Sequence, residues 1–227
     1  MQLSLPLFRR LASADDPNSF ANKLRAKRFR QFEKWIAPLP RPLRMLDVGG
    51  TNDYWALRGW AGRSDIQIVT VNPQAEEQIY DNIQALAGDA TKLEFEDRSF
   101  DVIFSNSVIE HVFTFENQRR MASEVQRVGK CFWIQSPNYW FPLEPHFDMP
   151  GWHWMPVSWR VALIRRWKFG SLGPCADPVQ AREMIEEVRL LTKRELREIF
   201  PGATLVPQRF CGLVKSWNVV GGLPVPS

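Results

Sequence analysis

Between residues 43 and 138, five short apolar runs each break off at a Gly, Asp or Asn. They read RMLDVGG, IQIVTVN, IQALAGD, FDVIFSN and CFWIQSPN. Runs this short, with little polar alternation, suit strands buried on both faces of a parallel sheet. Their polar residues collect at the C-terminal ends, where open α/β sheets bind their ligands. A helix is predicted over about Glu116 to Val128, feeding the fifth run. Further on, Thr192-Lys193-Arg194-Glu195 has capping-box spacing, with Leu191 and Leu196 placed as a hydrophobic staple. That helix should stop at Pro201-Gly202, and two last strands follow, at about 204–210 and 213–220. The predicted fold is α/β: a doubly wound, mostly parallel seven-stranded sheet with helices on both faces.

A chain of 227 residues fits one domain of this class with additions, since a typical domain holds ~150 residues. Residues 1–227 are therefore read as one domain. An N-terminal helix spans 15–37, started by Asp16-Pro17 and stopped at Pro38, and it can gather Phe20, Leu24, Phe32, Trp35 and Ile36 on one face. The core spans 43–138, and the C-terminal helix and strands span 191–220. Residues 139–190 break the rhythm with six prolines and five of the chain's ten tryptophans, and read as an inserted lid. Lys and Arg total 29 against 25 Asp and Glu, so the net charge is only +4. That suits a soluble enzyme as well as a polyanion binder. Cys131, Cys175 and Cys211 lie far apart without C-x-x-C spacing, which reads as reduced thiols in a cytoplasmic protein. The apolar start MQLSLPLF precedes its arginines, the wrong order for a secretory signal.

The chemistry concentrates at two turns. In Met45-Leu-Asp-Val-Gly-Gly-Thr-Asn-Asp-Tyr-Trp55 a buried strand opens into Gly49-Gly50, which lets backbone approach a ligand closely. Thr51 and Tyr54 stand where the dinucleotide pattern G-x-G-x-x-G needs glycine, so a pyrophosphate cradle is disfavoured. The second segment runs from Gly88-Asp89-Ala90 through Leu-x-Phe-x-Asp-x-Ser-Phe-Asp101 to Ser105-Asn106-Ser107-Val108-Ile109-Glu110-His111. It resembles the signature of class I, Rossmann-like S-adenosylmethionine-dependent methyltransferases, in particular the type 11 family. The resemblance covers about 43–138 closely and 191–220 loosely.

The resemblance implies S-adenosyl-L-methionine as cofactor and assigns roles. Asp47 would orient the glycine turn near the methionine moiety, with Gly49, Gly50 and Thr51 beneath the cofactor. Asp89 would accept from the adenine amino group, with Ala90 beside it. Asn106, Ser107 and Val108 would line the sulfonium side, followed by His111. Two departures stand out. Thr51 and Asp53 replace glycines, and Asn72 ends the second strand where the family carries an acid that grips the ribose hydroxyls. An amide can still donate and accept there, without charge assistance.

The lid should shape the acceptor side. Its start, Ser136-Pro-Asn-Tyr-Trp-Phe-Pro-Leu-Glu-Pro-His146, interleaves aromatic and titratable residues. Tyr139, Trp140, Glu144, His146 and Trp152 are the candidate acceptor contacts. A hydroxyl acceptor must lose its proton as it attacks, so His146, then His111, are the candidate general bases. No histidine spacing suits a metal, and none is expected. The expected activity is O-methylation of a small-molecule or glycan hydroxyl. RNA methylation, using the basic first helix, and a non-catalytic binding module on the same fold are the alternatives. Nucleic acid is not the favoured partner, since the strand-four end lacks the Pro-Pro-aromatic motif of base methylation. Residues 154–169 mix Trp, aliphatics and Arg and could meet the inner face of a membrane peripherally. The sequence does not set the oligomeric state.

Overall fold

A computed structural model describes residues 20–144, 147, 149–169 and 174–223. The chain divides into two compact units. One joins the described part of 1–29 to residues 139–188, and the other joins 30–138 to 189–227.

The larger unit holds the sheet. Its strands are β1 (Leu43–Val48), β2 (Ile66–Asn72), β3 (Ile83–Ala87), β4 (Phe100–Asn106), β5 (Gly129–Pro137), β8 (Thr204–Phe210) and β9 (Leu213–Gly221). They lie in the order β3-β2-β1-β4-β5-β9-β8. β1 pairs in parallel with β2 and β4, β2 with β3, and β4 with β5, while β9 runs antiparallel to both neighbours. The order reverses at β1 and β4, so the ligand crevice of a doubly wound sheet falls above their C-terminal ends. The five apolar runs and both final strands thus form the sheet expected of them.

Side chains alternate across each strand, so Ile103, Ile134 and Val219 face one side and Phe104, Trp133 and Val220 the other. The first side packs against helix α3 (Phe115–Val128), which buries Met121, Ala122, Val125 and Val128 at helical spacing. Thr114 caps that helix by accepting from the Asn117 amide. Helix α6 (Lys193–Ile199) joins the same cluster through Leu196 and Ile199. Its Thr192–Glu195 capping box forms in both directions, and Leu191 and Leu196 are both buried.

The opposite side is aromatic. The C-terminal half of helix α1 (Phe20–Ile36) brings Phe32 within 4.8 Å of Phe104 and 5.8 Å of Trp133. Helix α2 (Asn52–Leu57) adds Trp55, stacked 5.2 Å from Trp60. Trp35, Trp55, Trp60 and Trp133 are all buried, so four of the ten tryptophans serve as core on this side of the sheet. Of the face expected on α1, Phe32, Trp35 and Ile36 are buried. The side chains of Phe20 and Leu24, and the Asp16-Pro17 start, lie outside the described residues.

The smaller unit contains a two-residue ribbon, β6 (Leu143–Glu144) with β7 (Met149–Pro150), then helices α4 (Val157–Ile164) and α5 (Pro178–Glu186). Trp152 stacks on Phe147 at 4.4 Å and lies 5.0 Å from Phe169. Ile164, Ala181 and Ile185 complete this core. Among the described residues, no helix is long and apolar enough to cross a membrane.

Candidate active site

The glycine turn after β1 is built around a buried acid. Asp47 is 1% exposed, and Oδ2 accepts a 2.9 Å hydrogen bond from the indole Nε1 of Trp55. Burial pushes its carboxyl up to about 8, against which the indole hydrogen bond pulls only partly. At neutral pH the side chain is therefore mostly protonated. A Cβ on Gly50 would sit 1.7 Å from Oδ2, so glycine is required by the acid beneath it. Gly49 has φ +86°, and a Cβ there would lie 2.3 Å from a Val108 methyl. Both glycines thus have a steric reason independent of any ligand, and Gly49 alone of the two lines the crevice, Gly50 being buried.

Three hydrogen bonds pin this turn to its neighbours. The Gly49 amide donates to the Val71 carbonyl at 2.8 Å, and Asn72 Nδ2 donates to the Gly50 carbonyl at 2.8 Å. Ser105 Oγ donates to the Val48 carbonyl at 2.9 Å. Asn72 therefore spends donor capacity on the turn and keeps its carbonyl oxygen as an acceptor. Thr51 caps α2 by accepting from the Tyr54 amide at 3.2 Å. Asn52 follows it, donating through backbone and side chain to Glu76. The altered loop thus has its own internal bonding.

Above the turn lies a cleft of about 380 Å³, within the roughly 300–1,000 Å³ of small-molecule sites. Val48, Val71, Ala90, Val108, Val112 and Phe113 supply apolar wall, and Asn72, Asp89, Thr91, His111 and Asn117 supply polar groups. Gly49, Pro73 and Gly88 complete it. An apolar cleft with a few convergent polar groups suits a nucleoside-sized ligand. Asp89 is held by Thr91, whose amide and hydroxyl both donate to Oδ1 at 2.8 Å. His111 ends a short 3₁₀ turn, its amide donating to the Val108 carbonyl at 2.8 Å. Ser107 and Phe113, with φ of 60° and 66°, bracket that segment in the left-handed region. Such outliers persist only where their surroundings hold them, and Ser107 is held by Oγ and N donating to Gln135.

The structure thus brings Gly49, Asn72, Asp89, Ala90, Val108 and His111 to one cleft. Asp47, Gly50 and Thr51 sit beneath it or beside it as supports. Asn106 ends β4 and Ser107 follows it, next to Val108, and neither lines the cleft. Tyr139, Trp140, Glu144 and Trp152 fall in the smaller unit. Trp140 is exposed, whereas Trp152 is fully buried. Its ring is core, a correction to its expected place among acceptor contacts. Glu144 ends β6, and His146 lies outside the described residues. Thr91, Phe113, Asn117 and Gln135 were not legible as site residues, although Asp-x-Thr is a turn spacing that could have flagged Thr91. Among the described residues, no cluster of three His, Cys, Asp or Glu could hold a metal.

Comparison with known proteins agrees with this geometry. Residues 48–131 match the model of a methyltransferase domain, type 11. An uncharacterised protein of Mycobacterium tuberculosis strain H37Rv, Rv1509, is 28% identical over 138 residues, 56% of this chain and 46% of that protein. The match thus spans less than half of its relative's length. Among solved structures, the N-terminal domain of EvdMO1 with SAH bound aligns with TM-score 0.52 at 16% identity, covering 93% of this chain and 82% of that one. A putative methyltransferase from an antibiotic biosynthesis pathway of Anabaena variabilis aligns at 0.51 and 14%, covering 80% and 64%. At these identities the likeness is one of fold.

Proposed function

This chain carries a class I, Rossmann-like methyltransferase domain of the type 11 family over residues 48–131, and from that premise we propose that it O-methylates a small-molecule or glycan hydroxyl. The cofactor is S-adenosyl-L-methionine, which supplies an activated methyl group. The supporting observation is the convergence of Gly49, Asn72, Asp89, Ala90, Val108 and His111 on one cleft at the C-terminal ends of the strands. Gly49 presents bare backbone, Asn72 and Asp89 present hydrogen-bond acceptors, and the valines exclude water.

Transfer to a hydroxyl forms a C–O bond, breaks the S–C bond and frees the hydroxyl proton. In this reading His111, which lines the cleft, takes that proton. The assignments of His146 as base, and of Tyr139, Trp140 and Glu144 as acceptor contacts, rest on the sequence pattern and belong to this proposal. The three free thiols support a reducing, cytoplasmic setting.

Incubation with methyl-labelled S-adenosylmethionine and fractionated bacterial extracts tests the reading. Base-stable label in a glycan or small-molecule fraction, lost in His111→Ala, supports it. Label in RNA would replace it with the nucleic-acid reading. Because Asn72 spends a donor on Gly50, a non-catalytic module is the second reading, favoured by absence of cofactor binding.

A further inference from the structure

Three of the large apolar side chains most exposed among the described residues are tryptophans of the smaller unit: Trp140 at 64%, Trp154 at 45% and Trp159 at 65%. Tryptophan is costly to leave in water, and its indole is at home at a membrane–water interface. Along the segment that holds Trp154 and Trp159 the charge is one-sided. From Met149 to Lys168 the chain carries Arg160, Arg165, Arg166 and Lys168 and no acidic residue.

Helix α4 sorts these residues by face. Ile164 is buried with Phe147, Trp152 and Phe169, and Val161 and Leu163 pack against that cluster. Arg160 is half-buried on the inner side, whereas Ser158, Trp159, Ala162, Arg165 and Arg166 are exposed. At 100° per residue Ser158, Trp159 and Ala162 share an arc of about 100°. The helix thus turns one tryptophan and two small residues outward, and Arg165 and Arg166, in the turn that follows it, are exposed as well. Arg165 donates only to the Ala176 carbonyl among its described partners, and neither Arg165 nor Arg166 is paired with a described carboxylate. The neighbouring Trp154 is fixed by its indole donating to the Tyr139 carbonyl at 3.2 Å, which also receives His153 Nε2 at 2.6 Å. Trp140 lies 6.5 Å from Trp154.

We propose that this face, centred on Trp159 with Arg165 and Arg166, docks the protein onto an anionic phospholipid bilayer. The Trp159 indole lies at headgroup depth and the guanidinium groups meet lipid phosphates, an interfacial contact rather than a span. A bilayer is favoured over a nucleic acid because this segment sets only two exposed cations, Arg165 and Arg166, beside its exposed tryptophan, too few to track a phosphate backbone. The proposal is independent of the methyl-transfer reading.

Co-sedimentation of the full chain with vesicles decides it. The chain should pellet with vesicles of phosphatidylcholine and phosphatidylglycerol, not with phosphatidylcholine alone, and should be released by salt. Arg165→Gln with Arg166→Gln should lower partitioning roughly tenfold or more, and Trp159→Ser should lower it several-fold. Arg194→Gln with Arg197→Gln removes equal charge from exposed positions of the larger unit and should change it little. Failure to pellet, equal losses in the control pair, or displacement of the vesicle-bound chain by single-stranded RNA would each overturn the proposal.

Discussion

The indole Nε1 of Trp55 donates a 2.9 Å hydrogen bond to Oδ2 of Asp47, and both residues are buried. The carboxyl is pushed up to about 8, chiefly by burial. Because this acid binds its proton more tightly when folded, its favourable contribution is full below the ordinary value of 3.8 and is lost as pH rises toward 8. The accumulated loss is on the order of 5 kcal/mol. Asp47→Asn keeps an oxygen for Trp55 and removes the titration. Its melting temperature should gain on the wild type progressively from about pH 4 to pH 8. Thermal melts across that range check this, and parallel curves would contradict it.

The contact between Asp47 and Gly50 makes a second prediction. Gly50→Ala places a methyl where Oδ2 stands, and overpacking of this kind costs about 1–3 kcal/mol. Shrinking the acid by Asp47→Ser should recover part of that loss, giving a coupling free energy of roughly 1 kcal/mol or more in a double-mutant cycle. Urea denaturation of the four variants measures it, and strictly additive effects would remove the steric explanation.

Arg127 ties the loop leading into β4 to helix α3. Its guanidinium donates to Glu124 at 2.7 and 2.9 Å, to Asp97 at 2.8 Å, and to the Leu93 and Phe95 carbonyls at 2.9 and 2.7 Å. The arginine beside it holds the Glu124 carboxyl below its ordinary value. Arg127→Ala strands these acceptors and should cost about 2–4 kcal/mol. Hydrogen exchange should show faster amides near 93–98, with Leu93, bonded to Glu124, among them. An unchanged exchange pattern would contradict the bridge.

Two of the three thiols should react in a set order. Burial, with Asp101 adding to it, pushes the Cys131 thiol up to about 12, while Cys211 is exposed. Iodoacetamide at neutral pH should label Cys211 in the native protein and Cys131 only after unfolding. Mass spectrometry of the labelled peptides reads the order directly.

The sheet was legible because both-faces-buried strands leave an unmistakable apolar texture, and the α6 cap because Thr192 and Glu195 stand at a fixed spacing. The cleft was legible only where a local motif names a residue, as at Gly49, Asp89 and His111. Residues whose role depends on long-range register were hidden. Gln135 steadies Ser107 from the adjacent strand, and Phe113 reaches the cleft through a left-handed backbone. Tryptophan misled for a related reason. Composition cannot tell a ring that fills a core from one that meets a ligand, and Trp152 proves to be core while Trp140, Trp154 and Trp159 are the exposed rings.

Calorimetric titration with S-adenosylmethionine tests the cleft most directly, with Asn72→Ala alongside the wild type. The account predicts saturable one-site binding by the wild type. It predicts binding weakened about three- to tenfold in Asn72→Ala, as loss of a neutral hydrogen bond and of the tie to Gly50 would give. No saturable heat from the folded wild type at millimolar cofactor would contradict the account.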